Sequence, residues 1–294
     1  MRAVWPAGAE ATASDLAGPR GLQLPESPRV SADGRTLWFV DITAQQLWRV
    51  PIARLHDRAA YESRELLGEP GFVAPDAHAD GIVTVGLPDG LYRFDWVSGE
   101  LQLARALPAA EVPVRINDGA VAADGAVWFG TMNLRAEDPP AGVLYRAAGG
   151  EVAALDAPVA CWNGIGWRPD GGETYVTDTL GGEIRRYSAH GEPLGRFPVP
   201  GADSSVLPDG LIVDDSGALW SAMWGGGAVL RLRDGRAVGA IRVPGARPSA
   251  LAELPDGGLV ITRAADDAGD GALAVVSAAD VARVRAAEGA PASR

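Results

Sequence analysis

Polar residues recur at one position of a repeated sequence pattern and could together bind a metal ion. Each lies eight residues before the glycine of an Asp-Gly-like turn: Glu26, Asn117, Asn163 and Asp209. Two carboxylates and two amide oxygens form a hard donor set, which favours Ca²⁺, Mg²⁺ or Mn²⁺ over soft metals. A divalent cation also removes the repulsion that raises the pKa of crowded carboxylates. The alternative is that these residues only hydrogen-bond turns, since Asn-Gly, Asn-Asp and Asp-Gly are ordinary turn dipeptides.

These residues can share a location only if the chain is built from repeated units, and its turns indicate six of them. Each unit has an Asp-Gly-like turn followed by a run rich in Val, Leu, Trp, Phe and Tyr, which predicts a β-hairpin. The turn glycines lie 40 to 47 residues apart: Gly34, Gly81, Gly125, Gly171, Gly217 and Gly257. A second hairpin falls between consecutive turns, and two hairpins in about 45 residues match a four-stranded propeller blade.

The repeat predicts an all-β fold, a six-bladed β-propeller that forms a single domain over residues 1–294. Residues 279–294 are expected to be a terminal appendage, because residues 279–289 are the best candidate for a helix. Equivalent positions of a propeller are related by rotation about its central channel, so the polar residues would meet at one mouth. Val73 and Ser249 hold the same position in the other two units. The alternative is a β-sandwich with coincidental spacing.

The composition limits the classes of function. The chain has 294 residues and a formal net charge of −12, which argues against nucleic acid and anionic membrane surfaces as partners. All 26 basic residues are arginines, so chemistry that depends on a lysine is excluded. The lone Cys161 rules out a disulfide framework and is expected to be a small buried residue. With no apolar run near the length of a membrane span and no secretory signal, we expect a cytoplasmic protein with a small-molecule substrate, of unknown oligomeric state.

Several long stretches carry distinctive motifs: ESPRVSADGRTLWFVDI (26–42), RINDGAVAADGAVWFGTM (115–132), WNGIGWRPDGGETYVTDT (162–179) and LPDGLIVDDSGALWSAMWGGGAVLRL (207–232). In this order they resemble the motifs of the gluconolactonase/regucalcin family of sugar lactonases, the first stretch being the weakest match. The resemblance implies a six-bladed propeller, one divalent cation in its channel and, commonly, hydrolysis of aldonolactones. It also implies that the metal ligands are Glu26, Asn163 and Asp209. Arg115 and Asn117 would bind the substrate.

The chain departs from the family pattern near these residues. Ser27 stands where the family has a glycine after the first ligand, and Val30 stands where it has a tryptophan. Some members have a substrate-binding Glu shortly after the Gly-Thr-Met motif; the nearest residue here is Arg135, beside Asn133 and Glu137. An arginine there favours an anionic or differently functionalised ligand, so Arg135 is predicted to contact the substrate.

The predicted reaction is the hydrolysis of a lactone. The cation would polarise the carbonyl; Ca²⁺ is expected first, with Mg²⁺, Mn²⁺, Zn²⁺ and Fe²⁺ as alternatives. Asp209 is predicted to be both a ligand and the general base, since a calcium-like ion acidifies water only modestly. Glu26 and Asn163 would hold the ion, and Arg115 would stabilise the developing oxyanion.

Two other functions fit the same sequence. A family member could be recruited to a non-hydrolytic isomerisation or cyclisation in a specialised pathway, which the changes at Ser27, Val30 and Arg135 permit. A propeller without enzymatic activity could instead bind a metal or another ligand, because the fold alone does not decide the function. Removing the metal with a chelator and assaying a panel of lactones would separate these functions.

Overall fold

Short segments rich in β-branched and aromatic residues, separated by glycine-containing turns, form the strands of this protein. The computed structural model describes residues 9–135, 140–267 and 269–287. Within these ranges, 25 strands lie in six sheets. Neighbouring strands are antiparallel except at one pair near the N-terminus. The sheets are the blades described below.

The first three blades each consist of four consecutive strands that pair in chain order. They follow two N-terminal strands, β1 (Ala9–Thr12) and β2 (Ser14–Asp15). Blade one contains β3 (Pro25–Val30), β4 (Thr36–Asp41), β5 (Gln46–Pro51) and β6 (Glu62–Glu65), with 3₁₀ turns at Ile52–Arg54 and Arg58–Ala60. Blade two contains β7 (Phe72–Pro75), β8 (Ile82–Leu87), β9 (Gly90–Asp95) and β10 (Leu101–Ala106). Blade three contains β11 (Val114–Val121), β12 (Val127–Asn133), β13 (Leu144–Ala148) and β14 (Glu151–Ala154).

The last three blades complete the series. Blade four contains β15 (Trp162–Trp167), β16 (Glu173–Asp178), β17 (Glu183–Ser188) and β18 (Pro193–Pro198). Blade five contains β19 (Leu207–Val213), β20 (Leu219–Trp224), β21 (Ala228–Arg233) and β22 (Arg236–Arg242). Blade six contains β23 (Pro248–Glu253), β24 (Leu259–Arg263) and β25 (Ala272–Val276). A single helix in the described ranges, α1 (Ala278–Ala286), follows.

The two N-terminal strands join the last two blades. β2 pairs antiparallel with β25 and is the fourth strand of blade six, with Ser14 opposite Val275. β1 pairs parallel with β22 and adds a fifth strand to blade five. Blade six therefore contains strands from both ends of the chain, so its pairing closes the ring. We propose on this basis that the whole chain is one domain.

The blades are arranged in a ring around a channel. The innermost strand of each blade contacts that of the next, and β23 of blade six contacts β3 of blade one. In the described part of the chain, hydrophobic residues form six buried clusters, one between each pair of adjacent blades. Both faces of every blade are therefore covered. The predicted six-bladed β-propeller is confirmed, and the alternative of a β-sandwich is wrong.

The helix α1 packs on blades five and six. Its N-cap is Ser277, whose hydroxyl accepts a hydrogen bond from the backbone N–H of Asp280 at 3.2 Å. Val281 and Val284 are fully buried in the cluster between these two blades. Residues 288–294, the rest of the predicted appendage, lie outside the described residues. No helix in the described ranges is both long and apolar enough to cross a membrane.

Candidate active site

In five of the six blades, the pairing between the two innermost strands shifts register. The shift lies close to the position where the sequence predicts site residues. In blade four, Trp162 pairs with Asp178 and Ile165 pairs with Val176, so β15 holds one residue more than β16 between these pairs. The same extra residue occurs in β3, β11, β19 and β23. Such β-bulges redirect side chains and are frequent beside active sites.

The bulges explain how polar side chains can reach the channel. In a regular strand, side chains point alternately to the two faces of the sheet, and both faces of a blade are covered by its neighbours. A bulge breaks this alternation. The innermost strands all begin at the same end of the channel, which we call the site end. Glu26, Asn163 and Asp209 lie there on bulged strands, each no more than 7% exposed.

The three predicted metal ligands are brought together by this arrangement. Asn163 Nδ2 donates a hydrogen bond to Asp209 Oδ1. Burial raises the pKa of Asp209 well above its usual value, and the negative charge of Glu26 adds to the effect. The pKa of Glu26 is raised to about 8, chiefly by burial and then by the charge of Asp118. Both carboxylates are thus buried, and the charge of Glu26 disfavours the ionisation of Asp209.

The donor set fits a hard divalent cation. Neither carboxylate ionises easily, although Arg29 and Arg115 partly offset the effect of burial, and oxygen donors suit Ca²⁺, Mg²⁺ or Mn²⁺. In the described ranges, no three His, Cys, Asp or Glu side chains are grouped so that they could hold a metal ion. The predicted third ligand is instead the amide of Asn163, which lies against Asp209.

Close packing between innermost strands accounts for the glycines that follow two of the predicted ligands. A Cβ added at Gly164 would lie 2.2 Å from the backbone nitrogen of Leu211 in blade five. A Cβ at Gly210 would lie 2.7 Å from the Cβ of Ala250 in blade six. Any side chain there would force the blades apart. The Asn-Gly and Asp-Gly pairs therefore lie in bulged strands rather than in turns.

Arg115 and Asn117, the predicted substrate-binding residues, lie on β11 at the site end. Arg115 is 8% exposed; its Nη1 donates to the carbonyl of Ile116 at 3.0 Å, and its Nε lies 3.5 Å from Oε2 of Glu69. Burial lowers the pKa of Arg115, and the negative charges around it, including those of Glu69, Glu26 and Asp209, oppose this. The guanidinium is therefore close enough to interact with the carboxylate pair.

The amide of Asn117 is held by blade four. Its Nδ2 donates to the carbonyl of Trp162 at 2.9 Å and lies 3.4 Å from the sulfur of Cys161. Cys161 is buried, and burial followed by the charge of Asp209 raises the pKa of its thiol to about 12. A thiol that stays protonated is a poor nucleophile. The expectation that Cys161 is a small buried residue agrees with this environment.

Arg135 is placed differently from the other predicted site residues. It is exposed and lies two residues after the end of β12. Residues 136–139, which include Glu137, lie outside the described residues. A role for Arg135 in substrate binding therefore stays a prediction.

Sequence reasoning missed two acidic residues of the site. Asp118 is 3% exposed, accepts a hydrogen bond from the backbone N–H of Gly119 at 2.7 Å, and lies 3.7 Å from Nη2 of Arg29. Its charge raises the pKa of both predicted carboxylate ligands. Its position next to Asn117 in the RINDG motif could have identified it. Glu69 precedes β7 in an irregular loop and carries no such signal.

These features define a class of protein: a six-bladed propeller with buried carboxylates and an amide gathered at one end of its channel. Residues 24–265 match the family model described as SMP-30/Gluconolactonase/LRE-like region. The chain belongs to this family, as its motifs indicated.

Several named proteins are similar to the chain. It is 36% identical over 259 residues to an L-arabinolactonase of Azospirillum brasilense, which covers 82% of this chain and 80% of the relative. It is 31% identical over 260 residues to a pentonolactonase of Haloferax volcanii, with 85% and 84% covered. Among solved structures, a calcium-binding protein, regucalcin, from Agrobacterium tumefaciens superimposes with a TM-score of 0.81. That structure has 26% sequence identity, with 92% of this chain and 96% of the other covered.

Proposed function

We propose that this protein hydrolyses a sugar lactone with the help of one divalent cation held by Glu26, Asn163 and Asp209. The observation that carries the proposal is the convergence of these three buried side chains from blades one, four and five. The similarity to an L-arabinolactonase and a pentonolactonase supports a small sugar lactone as the substrate.

Calcium is the first candidate for the cation. The three side chains offer oxygen donors and no thiolate or imidazole, which suits a hard ion. The similarity to a calcium-binding regucalcin supports the same choice, and Mg²⁺, Mn²⁺, Zn²⁺ and Fe²⁺ are the alternatives. When bound, a divalent cation would supply Lewis-acid polarisation of the lactone carbonyl.

The side chains of this protein would carry the proton transfers. Asp209 is the proposed general base: its carboxylate takes a proton from water as the water oxygen bonds to the carbonyl carbon. The bond from that carbon to the ring oxygen then breaks, and the proton passes to the ring oxygen, which leaves as a hydroxyl. This last transfer returns Asp209 to its carboxylate form, and the product is the open-chain hydroxy acid, which then ionises in solution.

Arg115 and Asn117 would position the substrate. The guanidinium of Arg115, buried near the carboxylates, can donate to a substrate oxygen and stabilise negative charge as the tetrahedral intermediate forms. The carboxamide of Asn117 is fixed by its bond to Trp162, so its oxygen has a set orientation toward a ligand. Arg135 is proposed to contact the substrate from the loop that follows β12.

Metal removal and reconstitution test the proposal. The protein would be treated with a chelator and assayed against a panel of aldonolactones, then assayed again after addition of Ca²⁺, Mg²⁺, Mn²⁺, Zn²⁺ or Fe²⁺. We expect hydrolysis to be lost with the chelator and restored by at least one cation. Full activity in the thoroughly chelated protein would reject the cation, and inactivity toward every lactone with metal bound would reject hydrolysis.

A further inference from the structure

Blade two contributes to the site end of the channel through a loop rather than through its innermost strand. Val73, at the position equivalent to the predicted ligands, is fully buried in the cluster between blades one and two. Glu69 lies three residues before β7 begins, and it faces Arg115 of blade three. The loop thus places a carboxylate in the sector of the site where the strand supplies none.

The loop that carries Glu69 is pressed against β11. The backbone N–H of Gly71 donates to the carbonyl of Gly86 at 2.8 Å, which ties the end of the loop to blade two. A Cβ added at Gly71 would lie 2.4 Å from the carbonyl oxygen of Ile116 and 2.9 Å from that of Asn117. Glu69 is therefore anchored beside the strand that carries both predicted substrate-binding residues.

The carboxylate of Glu69 lies on the solvent side of its pair with Arg115. The side chain of Arg115 is 9% exposed and that of Glu69 is 43% exposed, so the carboxylate is the more accessible of the two groups to a ligand. The distance of 3.5 Å from Nε to Oε2 is longer than a strong hydrogen bond. The carboxylate oxygens therefore retain capacity to accept hydrogen bonds from a ligand.

We infer that Glu69 is a substrate-binding residue that selects neutral, polyhydroxylated lactones over lactones that carry a negative charge. This inference rests on the proposed lactone hydrolysis. Hydroxyl groups of a sugar lactone donate to a carboxylate, and such charge-assisted hydrogen bonds are stronger than neutral ones. An anionic substituent would instead be repelled by Glu69, which adds to the charges of Glu26, Asp118 and Asp209. We assign charge selection to Glu69 rather than to Arg135 because Glu69 contacts the buried Arg115.

The test compares Glu69→Gln with Glu65→Gln. Glu65 is exposed at the end of β6 on the same side of the propeller, so its variant removes the same charge four residues away. Both variants and the unaltered protein would be assayed, with the activating cation, on a neutral pentono-1,4-lactone and on an aldaric acid monolactone. Glu69→Asp, which keeps the charge, completes the set.

For Glu69→Gln we expect KM for the neutral lactone to rise about fivefold to tenfold with little change in kcat, because a hydrogen bond to a charged acceptor is lost. KM for the anionic lactone should fall. The ratio of kcat/KM between the two substrates should shift about tenfold or more at low salt and less at high salt, since salt screens exposed charges. Glu65→Gln should leave this ratio within about twofold, and Glu69→Asp should keep the preference for the neutral substrate.

The outcomes separate the two proposals. If the unaltered protein hydrolyses no lactone with metal bound, the proposed function fails and the inference fails with it. If the unaltered protein is active but Glu69→Gln has the substrate ratio of Glu65→Gln, only the inference is overturned. A lower melting temperature of Glu69→Gln with an unchanged ratio would likewise show that Glu69 has only a structural role.

Discussion

Blade two differs from the other five blades at the channel. In the other five, the innermost strand carries a β-bulge at or directly after the position eight residues before the turn glycine, whereas β7 pairs with β8 without a break. Val73 on β7 packs among Trp38, Val83 and Val85 in the core between blades one and two. The polar residues at the bulged positions instead gather at the site end. The repeat therefore sets the height of a residue along the channel, and the bulge decides whether its side chain points into the channel.

The largest loss of activity is expected from substitution of Asp209, the proposed general base, which lies on a bulged strand. Asp209→Asn keeps the size of the side chain but cannot accept a proton, so kcat should fall about a thousandfold. The cation should also bind more weakly, measured as a smaller rise in melting temperature when metal is added. The matched control is Asp215→Asn in an exposed turn of the same blade, which should keep full activity. Near-normal kcat in Asp209→Asn would contradict the role of Asp209.

The second prediction concerns the pH dependence of the metal-free protein. Glu26 has a folded-state pKa of about 8 against an ordinary value of 4.5, so the folded protein holds a proton that the unfolded chain releases. Stability from this group is present below about pH 4.5 and is lost as the pH rises toward about 8. The melting temperature in chelator should therefore fall over this window, and addition of the cation should restore it at the upper end.

The contribution of Glu26 can be isolated by substitution. Glu26→Gln removes the titrating group from the bulged strand, so the decrease in melting temperature between pH 5 and about pH 8 should become shallower. Asp209, whose pKa is also raised by burial, should account for part of the remaining decrease. Glu65→Gln, an exposed change, should leave the full decrease in place. An identical pH profile for Glu26→Gln would show that the pKa of Glu26 is not raised in the folded protein.

A third prediction tests the role of the bulge on β7, the innermost strand that lacks one. Val73→Asn puts an amide at the position equivalent to Asn163, but on β7 the side chain points into the hydrophobic cluster. We expect a loss of about 2–4 kcal/mol in the free energy of unfolding, because a buried amide would lack hydrogen-bond partners. Val73→Ala should cost less, as it leaves only a small cavity. The contrary result is that Val73→Asn proves more stable than Val73→Ala and binds the cation more tightly than the unaltered protein. Its amide would then have reached the channel, and a bulge would not be needed to turn a side chain inward.

The sequence predicted the parts of this structure that repeat. Turn glycines at regular intervals identified six units, and counting back from them identified Glu26, Asn163 and Asp209, which the fold brings together. The only sign of the bulges in these two strands is the glycine that follows Asn163 and Asp209. Asn-Gly and Asp-Gly pairs also occur in turns, so this sign does not predict a bulge. The glycine itself is required by the approach of the next blade, as the closeness of Gly164 to Leu211 shows. This is a tertiary contact that local sequence does not specify.

Two of the features that were missed lie outside the repeat, and a third lies inside it. Glu69 is in a loop whose length differs from the equivalent loops, so no register assigns it to the site. The closing strand Ser14–Asp15 is two residues long and has no alternating pattern, yet its pairing with β25 completes blade six. Asp118 was next to a predicted residue, but the bulge in β11 lets both neighbours lie at the site end. Such positions follow from how blades meet rather than from the sequence of one blade.

The smallest change in stability is expected at Ser27, which lies on the bulged strand β3 and links it to the regular strand β7. Ser27 has φ of 50°, a left-handed conformation in which glycine is unstrained. Its hydroxyl accepts a hydrogen bond from the backbone N–H of Val73 at 3.2 Å. Ser27→Ala loses this bond and keeps the strain, which should cost about 1–2 kcal/mol in the free energy of unfolding. Ser27→Gly loses the same bond but relieves strain of about 1 kcal/mol, so it should be close to neutral.

The difference in stability between Ser27→Ala and Ser27→Gly measures the backbone strain at this position. Thermal or denaturant unfolding should rank Ser27→Ala below Ser27→Gly, and Ser27→Gly close to the unaltered protein. The ranking follows because both variants lose the contact with blade two, while only glycine adopts the backbone conformation freely. If Ser27→Gly were destabilised as much as Ser27→Ala, the left-handed conformation would carry no strain and the bond to Val73 would account for the whole effect. The serine would then act only as the link between blade one and blade two, whose innermost strand has no bulge.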